Sequence, residues 1–415
     1  MKILKKLFSV READITKNIV TICGLRFKRH KLPQDQKLYH HLPIQSNKIV
    51  FHSFMNGYSC NPKYICEEII RQKLPYELVW VVNRHVLKCI DSFPKEVRLV
   101  IKGTEASLKE YATARIWIEN TRRNDLLKKG LFKRKGQTVF QTWHGSMGIK
   151  AITSDRHNVP PYTLKLTELG CRELDHLLSH STWESERFKG FFFNHGQIHE
   201  VGHARNDILI AGDHDAIRKK VYDSLGVAPD AKLLLYVPTW RDDKNLDWMT
   251  MDYSAVLAAF EKRFGGKWVL VARMHQLMFE HGKKFLESGV KMINASGYPD
   301  IQELHVASAA CISDYSSCIY DFLLTKKPGF IYAPDRQEYE NTRGLYFPLS
   351  ETPFPIAENN SMMVDNIENF DNELYLRKVE EFVRGKGCMD DGHAAERIVE
   401  LIKNEIEGNT DHTNY

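Results

Sequence analysis

The chain has 415 residues, of which 43% are hydrophobic and 27% charged, and its formal net charge is +5. The length exceeds the roughly 250–300 residues at which a single core stops growing, so we expect two globular domains. No apolar run approaches the ~20 residues of a membrane span. Aromatic residues are sparse in the basic run over 122–135, which argues against a nucleic-acid partner.

The first 31 residues concentrate positive charge, with nine Lys and Arg against two acidic residues. Lysines surround four apolar side chains that would share one helical face: Ile3, Leu4, Leu7 and Phe8. This pattern is typical of helices that lie on an anionic membrane surface. We therefore predict a basic amphipathic segment over 1–35 that binds such a surface through 1–31; a solvated, frayed terminus is the alternative.

From about residue 48, strand-like and helix-like segments alternate, which indicates parallel α/β construction. The predicted strands of the first half are 49–54, 78–82, 97–101, 115–118, 138–142, 176–180 and 198–201. A turn-rich break at 226–230 precedes a second series, with strands predicted at 232–237, 267–273, 291–293, 310–313 and 329–333 and helices at 253–264, 301–308 and 316–326. We predict an N-terminal α/β domain over 36–212, a C-terminal α/β domain over 213–371, helices over 372–407 and a disordered tail over 408–415.

Two features bear on metals and redox state. The eight cysteines form no C-x-x-C pair and follow no signal peptide, which indicates reduced thiols in a cytoplasmic protein. Histidines four residues apart occur at His176/His180 and at His195/His199/His203, but none has the Glu of H-E-x-x-H. We therefore expect no metal and no cofactor.

Polar residues follow several predicted strands, and in open parallel sheets that edge binds ligands. His144 comes after the strand at 138–142 and before Gly145, so its imidazole would face a crevice as a general base for an acceptor hydroxyl; a core histidine bonded to the backbone is the alternative. The basic run from Arg122 and Arg123 to Lys135 leads into this strand. It is either a groove for a polyanionic acceptor or a solvated face.

In the second half of the chain, polar residues again follow predicted strands. Thr239 and Arg241 follow the strand at 232–237, where Arg241 would clamp a phosphate, and His275 follows the strand at 267–273. Asp314, Ser316 and Ser317 precede an apolar helix. Capping needs one such residue, so three favour an anion site. Gly-rich nucleotide loops, the G-x-S-x-G elbow and H-E-x-x-H are missing from the sequence.

These residues belong to blocks that resemble the CDP-glycerol glycerophosphotransferases, the teichoic acid primases and polymerases of bacterial cell walls and their capsule-making relatives. The resemblance runs from about residue 48 to about 350. The shared blocks are Trp117–Arg122, 133–137, Gln141–Gly145, 202–207, 237–241, 273–275, 313–317, Asp321-Phe322 and Arg343-Gly344.

The resemblance implies an α/β, GT-B-like architecture, with two Rossmann-like domains facing a cleft, the acceptor on the N-terminal side, the nucleotide donor on the C-terminal side and no required metal. It implies that His144 is the catalytic base and His275 the donor-phosphate histidine. The implied donor-site residues are Thr239, Arg241, Asp314, Ser316, Ser317, Arg343 and Gly344, and the implied acceptor-side residues are Arg122, Arg123, Gly145, Ser146 and Lys150.

The expected reaction is attack by an acceptor hydroxyl of a cell-surface glycan, teichoic acid or capsule on the β-phosphate of CDP-glycerol, with release of CMP. The expected place is the cytoplasm, at the inner face of the cell membrane if the N-terminal segment binds there. A CDP-ribitol or other polyol or sugar transferase on the same scaffold is one alternative. A basic protein that binds polyanions or membrane without turnover is the other.

Overall fold

The computed structural model describes residues 8–14, 16–22, 25–54, 57–84, 86, 92–147, 159–239, 241, 248–274 and 292–408. Lys150 and His275 lie outside these residues, as does the predicted tail beyond 408. Within the described residues, no helix is both long enough and apolar enough to cross a membrane.

The N-terminal segment is a small antiparallel sheet from residue 8 onward. Its strands are β1 (Phe8–Asp14), β2 (Lys17–Ile22) and β3 (Leu25–His30). The helical face predicted for Ile3, Leu4, Leu7 and Phe8 is therefore wrong at Phe8, which is the first residue of β1, and residues 1–7 lie outside the described residues. β-Branched residues dominate β2, and these favour the pleated strand over the helix. This signal was overlooked in the sequence.

The first half is built on a seven-stranded parallel sheet in the order β10-β9-β8-β7-β4-β5-β6. Its strands are β4 (Gln45–His52), β5 (Glu77–Val82), β6 (Val97–Ile101), β7 (Ala114–Glu119), β8 (Thr138–Gln141), β9 (His176–Ser179) and β10 (Gln197–Glu200). The helices are α1 (Cys60–Arg71), α2 (Glu105–Thr113), α3 (Asn124–Lys128), α4 (Pro161–Cys171), α5 (Thr182–Phe191) and α6 (Asp207–Ile210), with a 3₁₀ turn at Ala204–Asn206. Apolar layers cover both faces, as a buried parallel sheet requires.

The second half has a six-stranded sheet in the order β13-β12-β11-β14-β15-β16, again parallel throughout. Its strands are β11 (Lys232–Val237), β12 (Trp268–Ala272), β13 (Met292–Asn294), β14 (Ala310–Ser313), β15 (Gly329–Tyr332) and β16 (Ile356–Ala357). The helices are α7 (His214–Leu225), α8 (Tyr253–Phe264), α9 (Ile301–Ala307), α10 (Cys318–Phe322), α11 (Arg336–Arg343) and α12 (Asn360–Glu368), with 3₁₀ turns at Leu323–Thr325 and Leu349–Glu351. The predicted α/β alternation is confirmed in both halves.

The strand order reverses once in each sheet, between β4 and β7 in the first and between β11 and β14 in the second. Ligands bind beyond the carboxyl ends of the strands at such switch points. The segments that follow β7, β8, β11 and β14 are therefore the places where the fold favours a site.

The two predicted C-terminal helices are present, but each packs on a different half. Helix α13 (Asn372–Gly385) buries Tyr375, Val379 and Phe382 in the core of the second half. Helix α14 (Ala394–Glu407) buries a stripe that includes Ile398 and Ile402 in the core of the first half. The chain therefore crosses from the second half back to the first between residues 386 and 393, a segment we call the crossing.

Candidate active site

His144 lies just beyond the carboxyl end of β8, next to the switch point of the first sheet. Trp143 has a φ of 49°, a left-handed conformation that is uncommon outside glycine, and it turns the chain sharply after the strand. The half-buried His144 ring is held between Phe54, with ring centroids 4.7 Å apart, and Trp143, at 4.2 Å. Asn61 in α1 donates to the Thr142 carbonyl at 2.9 Å, which fixes this turn.

The tautomer of His144 follows from its backbone contact. Its Nδ1 lies 2.5 Å from the carbonyl oxygen of Asn120, just after β7. Because a carbonyl can only accept, Nδ1 carries the hydrogen, and in the neutral ring Nε2 is the basic nitrogen. The backbone contact that argued for a core histidine is therefore the contact that makes this imidazole suitable as a base.

The loop after His144 is anchored to both halves of the molecule by one buried arginine. Arg205 donates from Nη2 to the Gly145 carbonyl at 2.9 Å and to the Ser146 hydroxyl at 2.7 Å. Its Nε donates to Asp321 of α10 at 3.0 Å, and the Ser146 hydroxyl also donates to Asp321. The Gly145 carbonyl and the Ser146 hydroxyl thus bind this ion pair, and the predicted place of both residues on the acceptor side stays a prediction.

The charge on Asp321 is well compensated. Burial alone would raise its pKa, but the Arg205 guanidinium and the hydrogen bonds from Arg205 and Ser146 outweigh burial and hold the pKa well below its ordinary value. Asp321 is therefore ionised at neutral pH, and the ion pair joins the two halves beside the His144 loop.

The predicted phosphate clamp, Arg241, is occupied by protein groups. Its Nε and Nη2 donate to Asp335 at 2.7 and 3.1 Å, while Nη1 donates to the Thr239 carbonyl at 2.8 Å and to Asp314 at 2.9 Å. The guanidinium also stacks on Trp248, 4.1 Å from the ring centre. Arg241 therefore organises the end of β11 through partners 73 and 94 residues away in sequence, and its contact with a donor phosphate stays a prediction.

The other predicted donor-side residues differ in what their side chains contact. Asp314 accepts from the backbone N–H groups of Thr239 and Tyr315, at 2.9 and 2.6 Å, so its carboxylate ties β14 to β11 rather than facing an anion. The buried Thr239 hydroxyl makes no hydrogen bond within the described residues. Ser316 and Ser317 are half-buried beyond β14, at the switch point of the second sheet.

Arg343 and Gly344 lie at the end of α11, where Gly344 adopts a φ of 78°. A positive φ there favours glycine, so a structural reason for this residue exists beside any ligand contact. Arg343 remains a predicted donor contact.

Several residues of the basic run over 122–135 are bound to protein groups. Arg123 is buried, 3.1 Å from Glu119 and 3.4 Å from Glu173, so it is part of the fold and not of a groove. Further along, Lys133 and Arg134 bind Asp175 and backbone carbonyls.

Arg122 differs from the rest of the run. Its Nε and Nη2 are buried and make no hydrogen bond among the described residues. The guanidinium packs on Phe191, 4.3 Å from the ring centre, and is close enough to Tyr346 of the second half to interact electrostatically. Burial lowers the pKa of Arg122, although a guanidinium stays protonated at neutral pH. Because these buried nitrogens have no partner in the ranges that the structure describes, Arg122 is suited to bind an anion.

Sequence reasoning assigned no role to Asn120, Asn61, Arg205 or Asp321. Each orients or anchors the His144 loop rather than presenting a reactive group. Asn120, Arg205 and Asp321 lie inside blocks that marked the family resemblance, which is the only sequence signal that pointed at them.

The comparisons with known proteins agree with this arrangement. The teichoic acid poly(glycerol phosphate) polymerase of Bacillus spizizenii is 27% identical, over 87% of this chain and 93% of the relative. The teichoic acid glycerol-phosphate transferase of Staphylococcus aureus is 29% identical, over 90% and 97%. Relatives named as ribitol-phosphate primases or polymerases are 20–24% identical.

The fold is shared with a solved relative, the wall teichoic acid polymerase TagF. A structure of a TagF variant soaked with CDPG superimposes with a TM-score of 0.76 at 27% identity, covering 89% of this chain and 91% of that one. The GT-B-like architecture is thus confirmed. Residues 36–404 match the family described as CDP-glycerol:poly(glycerophosphate) glycerophosphotransferase. The chain belongs to this family of enzymes.

Proposed function

We propose that the chain transfers glycerol phosphate from CDP-glycerol to a hydroxyl of a teichoic-acid-type acceptor and releases CMP, with His144 as the general base. The observation that carries the assignment of the base is the hydrogen bond from Nδ1 to the Asn120 carbonyl, which leaves Nε2 as the basic atom at the end of β8. The glycerol donor is favoured over ribitol because the relatives named for glycerol phosphate share more identity than those named for ribitol phosphate.

The reaction is a single displacement at the β-phosphorus of the donor. The acceptor oxygen forms a bond to that phosphorus while its proton passes to Nε2 of His144. The bond between the phosphorus and the bridging oxygen breaks, and CMP leaves with the electron pair. Phosphoryl transfer of this kind depends on positioning and on neutralising phosphate charge.

Four described residues are suited to the phosphates and the acceptor. Thr239 offers a buried hydroxyl without a partner among the described residues, and Ser316 and Ser317 offer hydroxyls at the facing switch point. Arg122 supplies a positive charge whose Nε and Nη2 have no hydrogen-bond partner in the described part of the chain, and we assign it to a phosphate of the acceptor chain. His275 keeps the donor-phosphate role that the resemblance implies, and no step above requires a metal.

The assay for this function is CMP release from CDP-glycerol, with CDP-ribitol and UDP-glucose as alternative donors and a membrane or teichoic acid fraction as acceptor. Acceptor-dependent CMP release from CDP-glycerol, with a product heavier by one glycerol phosphate, is expected. Faster release from CDP-ribitol would transfer the assignment to that donor. Donor binding without release from any donor, across acceptor fractions, would favour the polyanion-binding protein.

Arg122→Ala is expected to lower kcat/KM for the acceptor by on the order of 10- to 100-fold, because a charge-assisted hydrogen bond contributes about 1.5–3 kcal/mol. KM for CDP-glycerol should change little. Initial rates at varied acceptor concentration give both values. Arg172→Ala, which removes an exposed arginine paired with Glu168, is the control and should leave both constants unchanged. A larger effect on the donor KM would place Arg122 on the donor side instead.

The N-terminal sheet is proposed to hold the enzyme on the anionic inner face of the cell membrane. Leu25 and Ile22 are 66% and 45% exposed, and Arg26 and Lys28 beside them are also exposed. Apolar and cationic side chains together bind anionic lipid surfaces. Deleting residues 1–31 should abolish co-sedimentation with phosphatidylglycerol vesicles and leave CMP release with a soluble acceptor intact. Unchanged co-sedimentation would disprove this role.

A further inference from the structure

Five side chains with metal-binding atoms meet where the crossing passes the first sheet. They come from the end of β9, from α5, from the loop before the 3₁₀ turn and from the crossing itself: His180, Glu184, His203, Cys388 and Asp390. His180 has no exposed surface, and Glu184 and His203 are also buried, while Cys388 is half-buried and so leaves a path from solvent. None of the five belongs to the reaction proposed above.

Three of these groups have the spacing of zinc ligands. Nδ1 of His180 lies 3.2 Å from Oδ2 of Asp390 and 3.9 Å from Sγ of Cys388, and the Cys388 and Asp390 atoms are 3.4 Å apart. Zinc bonds of about 2.0–2.3 Å in a tetrahedron place neighbouring ligand atoms about 3.3–3.8 Å apart. The observed triangle needs only small shifts to accept the ion. Thiolate, imidazole and carboxylate are also the ligand types that zinc prefers.

The other two groups stand on the far side of the His180 ring. Its Nε2 lies 3.4 Å from the Ser181 hydroxyl and 3.9 Å from Glu184 Oε2. Metal-bound histidines commonly direct their second nitrogen at such a carboxylate, which fixes the ring and strengthens the metal bond. His203 is buried, and although its Nε2 is 3.2 Å from the same Glu184 oxygen, neither ring nitrogen makes a hydrogen bond of acceptable geometry among the described residues. Both ring nitrogens of the buried His203 therefore lack a hydrogen bond within the described residues.

We infer that His180, Cys388 and Asp390 bind one zinc ion, with water in the fourth position. The ion would hold the crossing against the first sheet. The backbone already joins them here: Met389 N–H donates to the His180 carbonyl at 2.7 Å, and Thr182 N–H donates to the Gly387 carbonyl at 3.2 Å.

The site also reaches the segment that carries Arg205. Asp390 accepts from the backbone N–H of His203 at 2.7 Å and from the Asn206 side chain at 3.0 Å. A zinc ion on Asp390 would therefore stiffen the same turn that anchors the His144 loop. The role is structural, and the inference does not depend on which donor the enzyme uses.

The competing explanation is an ion-paired cluster without metal. Burial would lower the pKa of His180, but Glu184 and Asp390 outweigh burial and hold it well above its ordinary value. Burial raises the pKa of the Cys388 thiol. Without metal both groups would keep their protons at neutral pH, and zinc binding would displace them. The two explanations differ in metal content.

The test uses the full chain without a histidine tag, stripped with a chelator, incubated with zinc or cobalt and freed of excess metal. We expect about one zinc per chain by mass spectrometry of the metal, and a thiolate-to-cobalt absorption band in the cobalt form. Cys388→Ser should lose most of the zinc and the whole cobalt band. Cys171→Ser, which removes a buried thiol outside the cluster, should keep both.

Thermal unfolding separates lost metal from a damaged fold. With zinc, the midpoint of the wild type should exceed that of Cys388→Ser, and with chelator the two midpoints should coincide. If the reconstituted wild type binds no zinc, or if its thermal unfolding midpoint is the same with and without chelator, the inference is wrong. The cluster is then the ion-paired one. A wild-type protein that binds zinc but releases no CMP from any donor would contradict only the proposed function.

Discussion

His144→Ala should lower kcat for CMP release by on the order of 10²–10⁴-fold, the range expected when a general base is removed. KM for CDP-glycerol should change little, because His144 lies in the first half and the donor contacts are assigned to the second. Initial rates of CMP release at saturating donor and acceptor measure the change in kcat. If proton removal occurs only in the transition state, kcat and kcat/KM should fall together.

A control must separate lost chemistry from lost packing, because the His144 ring stacks on Phe54 and packs at a tilt against Trp143. His195→Ala removes a histidine that is also half-buried, in the turn before β10, and should retain full activity. The thermal midpoint of His144→Ala should stay within a few degrees of the wild type. A variant that folds normally and keeps more than about a tenth of kcat would mean that another group, or water, takes the proton.

Much of the fold was predictable because the strands carry a strong local signal. The strand predicted at 232–237 is β11, and the helix predicted at 253–264 is α8, with the same bounds. Fully buried parallel strands read as continuous apolar runs, and the intervening helices are amphipathic, so the alternation is visible without tertiary information. The packing of α13 and α14 on opposite halves could not be predicted, because periodicity shows that a helix has an apolar face but not which residues cover that face.

The site was predictable only in part, for a similar reason. His144 could be identified because its position depends on the strand before it and the turn around it, both local. Arg241 could not be classified, since Asp335 is 94 residues away and a solvent-facing phosphate clamp and a buried ion pair look the same in sequence. The three ligands of the inferred zinc site are likewise spread from residue 180 to residue 390, outside any short motif.

Arg205→Met is expected to destabilise the protein by about 3–5 kcal/mol, because it leaves Asp321 buried without its counter-charge. The urea-unfolding midpoint, followed by tryptophan fluorescence, measures the loss. Arg172→Ala breaks an exposed ion pair and should lower the free energy of unfolding by less than about 1 kcal/mol. If Arg205→Met were as mild as this control, Asp321 would have to be neutral or solvated in the variant, contrary to its buried position.

Removing both charges distinguishes stability from positioning. In Arg205→Met/Asp321→Leu no buried charge is left alone, so the unfolding midpoint should recover most of the loss. Activity should not recover with it, because the Gly145 carbonyl and the Ser146 hydroxyl still lack the guanidinium that donates to them at 2.9 and 2.7 Å. A shift of the His144 loop by about 1 Å is enough to cost on the order of 10²-fold in rate. A stable double variant with low kcat, unchanged donor KM and intact donor binding would show that Arg205 positions the base; full activity would show that the ion pair serves stability alone.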